Sequence, residues 1–435
     1  MRRLSPLPAI MLAALVAAYA AAASGQDARE DFDNLMDMLA AVPDTNRVRA
    51  GPVIADYVDY RALERAGGVA SPDSVAALDA MDDAAFQDWS TALSRVDLDP
   101  LNLDNELPAE AVARQSGGSS SAFRNFPAVL GIDWFAVDRA VAVGGPPAAA
   151  VVLGGGPELT DLGAMATALA DRDFAVEIVG GVPVWHRFDD FEVRVDAIDG
   201  PDPLGFKPSD PFGVQHGFAA RIAGLTGALA GSRDWTLIED VIEARQGNMP
   251  SLADDPYVQA AAAAITDQRR FDGVLVRALF SNVRFTAAGV SSRKLGPFAS
   301  DQQLSAFADE LLSRMDGGLP FYRLAAVADR QDGSDEIALI ALVYDDRETA
   351  REAASAVADA VADYVPLRRK QRLADAFDLG ISTHVFQAGR GGPAVAVIGL
   401  SDFDQGSSPR PGRLFRMLQI GFLYLEPDYL IVAAE

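Results

Sequence analysis

Two stretches of this chain repeat one order of turns and hydrophobic periods, and that order restricts the fold more than any other feature. From Arg139 to His186 the sequence RAVAVGGPPAAAVVLGGGPELTDLGAMATALADRDFAVEIVGGVPVWH reads as a β-hairpin turning at Gly144, Gly145, Pro146 and Pro147, a helix from about Glu158 to Ala170, and a second hairpin turning at Gly180 and Gly181. From Tyr322 to Leu400 the order recurs, with a longer helix and an extra segment, Arg368 to Leu379, before the second hairpin. A hairpin with one apolar face must bury it, and each helix supplies a cover. The expected fold class is therefore α+β: two tandem related domains, each a mainly antiparallel sheet covered by helices. A chain of 435 residues is too long for one ordinary core and, at 49% hydrophobic residues, has material for two. The expected division is a signal segment over 1–25, a first domain over 26–270 with a helical insertion at about 61–125, and a second domain over 271–435.

The start of the chain supports export. Arg2 and Arg3 precede an apolar run that ends in small residues suited to a signal peptidase, so the mature chain is expected to begin at Ser24 or Gln26. The competing reading is an uncleaved anchor, for which a core of Ala9 to Ala23 is short. No other stretch has the length of a membrane span, so the mature chain is expected to be soluble, in the periplasm or outside the cell. There is no cysteine to staple it or to carry a lipid. The formal net charge of −25 repels nucleic acids and anionic lipid surfaces at long range. Nearly all the cations are Arg, with Lys207, Lys294 and Lys370 the lysines; this suits a GC-rich genome or a salty habitat.

Between these landmarks, Phe32, Leu35, Met36 and Leu39 fall at helical spacing and Pro43 stops them. Val53 to Tyr60 reads as the first strand, followed directly by a helix. Phe86, Trp89 and Leu93 form a helical stripe ahead of a polar tract containing SGGSSS. RIAGLTGALAGS is a further hairpin, with Asp234 the N-cap of the next helix and Pro256 in the first turn of another. In the second unit Asp345 and Glu348 form a capping box, and Ala350, Ala353, Ala354, Val357, Val361 and Tyr364 form the buried face. The final segment, LFRMLQIGFLYLEPDYLIVAAE, is apolar enough to be buried as helix or strand.

Reactive patterns are sparse. Gly154, Gly155 and Gly156 lie between strand and helix, where phosphate loops occur, but fit neither a dinucleotide fingerprint nor a Walker loop; they read as a turn using positive φ. Ser291 and Lys294 spell S-x-x-K without the partner motifs of an acylating enzyme, and read as a surface loop. The three histidines, His186, His216 and His384, are far apart in sequence, so neither a triad nor a zinc site is indicated. Trp185, His186 and His384 occupy second-hairpin strands and are the candidate binding residues, together with the basic cluster Arg368, Arg369, Lys370 and Arg372, an obvious place for an anionic partner. The run Asp97, Asp99, Asn102, Asp104, Asn105 and Glu106 offers oxygens to calcium or is a solvated loop. Asp189, Asp190 and Glu192 follow Trp185 as carboxylates beside an aromatic.

The GGPP hairpin running into VVLGGG, the GVPVWH strand, ALAGSRDWTLIEDVIEA and SLADDPYVQAA together resemble uncharacterised exported bacterial proteins. That resemblance covers most of the first domain and carries no catalytic residue. The expectation is an exported, non-enzymatic protein that binds an envelope protein or polymer, with no cofactor, no metal and no nucleic acid. If the two units are duplicates, a paired site is expected near Trp185 and His186 in one and His384 in the other. The alternative is a hydrolase of envelope polymers or peptides built on carboxylates and one histidine.

Overall fold

The structure, a computed structural model, describes residues 29–433 other than 69, 96–120, 146–147, 157–158, 160, 199–211, 213, 215, 334, 367–370 and 403–411. The expected signal segment, the acidic run from Asp97 to Glu106, and Arg368, Arg369 and Lys370 lie outside the described residues. The strands are β1 (Ala55–Asp59), β2 (Val137–Gly145), β3 (Ala148–Gly155), β4 (Ala175–Val179), β5 (Val182–Arg187), β6 (Val193–Ile198), β7 (His216–Phe218), β8 (Ala220–Leu225), β9 (Ala228–Ser232), β10 (Val274–Ser281), β11 (Leu324–Asp332), β12 (Asp335–Tyr344), β13 (Leu379–Gln387) and β14 (Ala394–Asp402). Twelve of them form one antiparallel sheet in the order β13-β14-β12-β11-β10-β1-β2-β3-β9-β8-β5-β4, and β6 pairs with β7 apart from it.

The α+β class with a large antiparallel sheet under helices is therefore what the chain adopts. Among the described residues the two halves do not form a large sheet each but share one. β1 pairs with β10, from Ala55 opposite Phe280 to Val58 opposite Arg277, and this ladder carries the sheet across the boundary expected near residue 270. One face is a single apolar layer drawn from both halves. It is covered by α1 (residues 29–39), α6 (Trp235–Arg245) and α7 (Pro256–Ile265), with Leu35, Leu39, Ile238, Val241, Val258 and Ile265 all buried.

The other face carries two apolar patches. Over the first half lie α2 (Tyr60–Gly67), α3 (Asp83–Arg95), α4 (Ser121–Leu130) and α5 (Leu162–Ala170). Over the second lie α8 (Ala287–Leu295), α9 (Asp301–Arg314), α10 (Arg347–Val361) and α11 (Arg413–Tyr424). Between the patches Asp56, Arg277, Asp329, Gln331, Glu336 and Gln419 form a polar seam, none more than 5% exposed. Gln419 of α11 donates to Asp56 of β1 at 2.7 Å, and Glu336 accepts from the Phe415 N–H at 2.9 Å. That contact matters locally, because α11 starts at Gly412 with no capping side chain of its own.

The two sequence units place their helices, α5 and α10, on the same face of the sheet, but their strand orders differ. In the second unit β14–β13 lies directly against β12. In the first, β9 and β8 intervene between β3 and the β5–β4 hairpin. The positional counterpart of β14–β13 is thus β9–β8, and the units delimited as Arg139 to Arg187 and Tyr322 to Leu400 do not superpose strand for strand. Hydrophobic period identifies a hairpin; it does not say which neighbour the hairpin chooses.

Smaller corrections have local causes. α5 starts at Leu162, because Asp161 accepts from the Gly163 and Ala164 N–H groups. α10 is capped by Asp346, one residue later than expected, while Asp345 pairs with Arg323 and Tyr257. Gly154 and Gly155 end β3 instead of forming a turn: a Cβ on Gly155 would lie 2.0 Å from the Ala136 carbonyl oxygen, and one on Gly154 2.6 Å from the Met38 sulfur. Glycine is needed there for close approach. Among the described residues no helix is long and apolar enough to cross a membrane.

Candidate functional site

The hairpin β4–β5 ends the sheet. Its turn is two residues, Gly180 and Gly181, with φ of 55° and 82°, the doubly left-handed geometry that matches the twist of two antiparallel strands. The turn fixes register, pairing Val179 with Val182, Ile178 with Pro183, Glu177 with Val184, Val176 with Trp185 and Ala175 with His186. β5 is then held by β8, but among the described residues β4 has no strand on its outer side.

An antiparallel ladder alternates bonded and non-bonded pairs, and the pair closing a two-residue turn is a bonded one. Val179, Glu177 and Ala175 therefore bond to β5, and the main-chain N–H and C=O groups of Val176 and Ile178 point out of the sheet. These two residues also expose their side chains, at 55% and 65%. Apolar surface and unspent backbone groups coincide at the same positions. Natural edges are commonly blunted by lysine, proline or a bulge; β4 contains none of these, and its one charge, Glu177, faces the α6 side with Val184.

Behind this edge the hairpin is clamped by arginine. Arg187, 7% exposed, donates to the Val214 carbonyl and lies between the Phe174 and Phe188 rings at 4.8 and 5.0 Å. Arg221 on β8, opposite His186, is 1% exposed; it reaches the Phe188 carbonyl at 3.0 Å and Asp190 at 2.7 Å, 5.4 Å from the Trp235 ring. Burial lowers its pKa, and Asp190 opposes that shift. Phe188 and Phe191 hold left-handed φ of 64° and 60°, a conformation costing bulky residues about 1–3 kcal/mol that persists only where contacts impose it. These contacts from Arg187 and Arg221 hold the end of β5 in place.

The expected site residues are dispersed. Trp185 is a core side chain on the face of α5, and His186 packs on Trp235 at 5.0 Å on the opposite face. His384 lies on β13 at the other edge of the sheet, its pKa lowered by burial and by nearby Arg270. Nine strands separate β5 from β13, on the order of 40–50 Å at the usual strand spacing, so His186 and His384 do not form a paired site. His216 stands on β7. Asp189 and Asp190 serve the turn after β5, Asp190 also accepting from the Trp235 N–H at 3.2 Å. Ser291 is in α8, fully buried, and donates to the Ala287 carbonyl at 2.7 Å, while Lys294 is held by Asp428 at 2.5 Å. S-x-x-K is thus one helical turn with both polar groups engaged, correcting the surface-loop reading. Arg372 pairs with Asp363 and Asp375.

Other concavities exist. An acidic groove of about 490 Å³ between α9 and α10 includes Arg314, Glu352, Asp359 and Asp428. A cavity of about 350 Å³ at the foot of β10 and β11 includes Asp31, Arg65, Gly273 and Gln331. Among the described residues no group of three metal-ligating side chains converges. No family model, curated protein or solved structure matches the chain.

Sequence reasoning reached the hairpin and its turn but did not single out Val176, Glu177 and Ile178, the exposed residues of its edge strand. The available signal was the alternation AVEIV with neither lysine nor proline. It acquires meaning only once β4 is known to be an edge.

Proposed function

We propose that this chain is an exported, non-enzymatic binding protein of the bacterial envelope, and that its partner protein docks on the open edge β4. The observation that carries this reading is the coincidence at Val176 and Ile178 of exposed β-branched side chains with outward main-chain groups. An edge of that kind is a template for another chain. The helices on both faces and the arginine clamps behind β5 make it a firm support, so docking costs little ordering of the platform itself. The N-terminal basic, apolar and small-residue order supports export.

A photo-crosslinking amino acid placed at Ile178 in the producing cell tests the proposal. Phe298, 99% exposed on the loop between α8 and α9 without a strand edge, is the control position. Position 178 should give one adduct of defined mass that position 298 does not give. No adduct at 178, or the same adducts at both positions, contradicts the reading.

A further inference from the structure

We infer that the segment reaching β4 is an extended stretch of the partner that adds a further strand to the sheet and alternates apolar with cationic residues. The inference rests on β4 being the binding edge and adds the chemistry of what binds there. An incoming strand can bond both main-chain groups of Val176 and of Ile178 without disturbing the ladder to β5, which uses Glu177 and Val179. Its residues on one face meet the exposed Val176 and Ile178 side chains and are matched by apolar, preferably β-branched, residues.

The other face is acidic. Glu177 projects there, and the Glu243 carboxylate overhangs the turn, 3.5 Å from where a Cβ on Gly180 would lie. Among the described residues neither Glu177 nor Glu243 has an ion-pair partner. In strand addition the residue across from Glu177 occupies a non-hydrogen-bonded pair, the closer kind, with Cα atoms about 4.5 Å apart. A Lys or Arg there finds a carboxylate directly opposite, and a Glu or Asp is repelled.

A second copy of this chain fits less well. Antiparallel pairing that keeps the sheet faces aligned and sets Val176 against Ile178 of the other copy also sets Glu177 against Glu177, and two chains of net charge −25 repel at longer range.

The test is titration of the full secreted protein with a short end-blocked peptide in which Val and Lys alternate, and with its twin carrying Glu in place of Lys. The Val–Lys peptide should bind, and the Val–Glu twin should bind at least about fivefold more weakly. Ile178→Pro removes one outward N–H and blocks the approach while sparing the internal ladder, so it should weaken binding by about tenfold or more with a near wild-type melting curve. Glu177→Lys, on an exposed side chain, should reverse the peptide preference, and it carries the test alone if Ile178→Pro fails to fold. Equal binding of the two peptides, or an unchanged preference in Glu177→Lys, overturns the inference. So does a wild-type dimer that Ile178→Pro dissociates, which would make a second copy the occupant. An adduct at position 178 in cells without Val–Lys binding would leave the binding edge standing and remove the strand chemistry; Val–Lys binding that Ile178→Pro weakens, without an adduct in cells, would keep the strand chemistry and remove the cellular partner protein.

Discussion

Buried charge in this molecule sits where elements join, and Glu336 shows its consequence most clearly. Desolvation, with Asp329 close by, raises its carboxyl to about 8 from an ordinary 4.5, while the N–H groups at the start of α11 and Arg277 pull the other way. The native state therefore holds a proton that the unfolded chain has already released between those values. Stability must fall as pH rises from about 4.5 to about 8 and level off above, because the native state binds more protons across that window. Glu336→Gln keeps an acceptor for Phe415 but cannot ionise. Its urea midpoint should change less than that of the wild type between about pH 5 and about pH 9, and an identical pH dependence would show that another group titrates. On the opposite face Arg330, fully buried, donates to the Ile265 and Asp272 carbonyls at 2.9 and 3.2 Å and also to that of Gly273, tying α7 to the start of β10. None of these roles is visible in sequence, where Glu336 and Arg330 are ordinary charged residues beside a turn.

Single elements were legible wherever local chemistry decides the conformation. The paired positive φ at Gly180 and Gly181, the Asp234 cap of α6, Pro256 at the head of α7 and the alanine face of α10 all follow from short-range rules. Local rules failed where a distant contact decides. The glycines at the end of β3 are the example: their φ values needed no glycine, but the Ala136 carbonyl, brought there by the chain entering β2, leaves no room for a Cβ at Gly155. Gly155→Ala should therefore destabilise by about 1–3 kcal/mol, the usual cost of overpacking a filled site. Thermal melts would check this, and a neutral substitution would return these residues to a simple turn. The candidate binding strand belongs to the same class, since β4 has an unremarkable sequence and stands out only because, among the described residues, no strand covers its outer side.

At the scale of the whole molecule, the sequence expectation of two tandem units meets one sheet with one shared apolar layer. The periodicities could announce hairpins and helices in both halves, but the pairing of β1 with β10 joins residues more than two hundred positions apart, beyond any local signal. The outcome is a long sheet, helix-covered on both faces, whose hairpin β4–β5 leaves a strand edge open among the described residues. The central claim is that this edge is available to a partner, and amide hydrogen exchange resolved to single residues in β4 tests it most directly. In the free protein Glu177 and Val179 should be protected by their bonds to β5, while Val176 and Ile178 exchange much faster, and bound partner should protect Val176 and Ile178 as well. Equal protection of all four amides in the free protein would mean that the edge is already covered and would contradict the account.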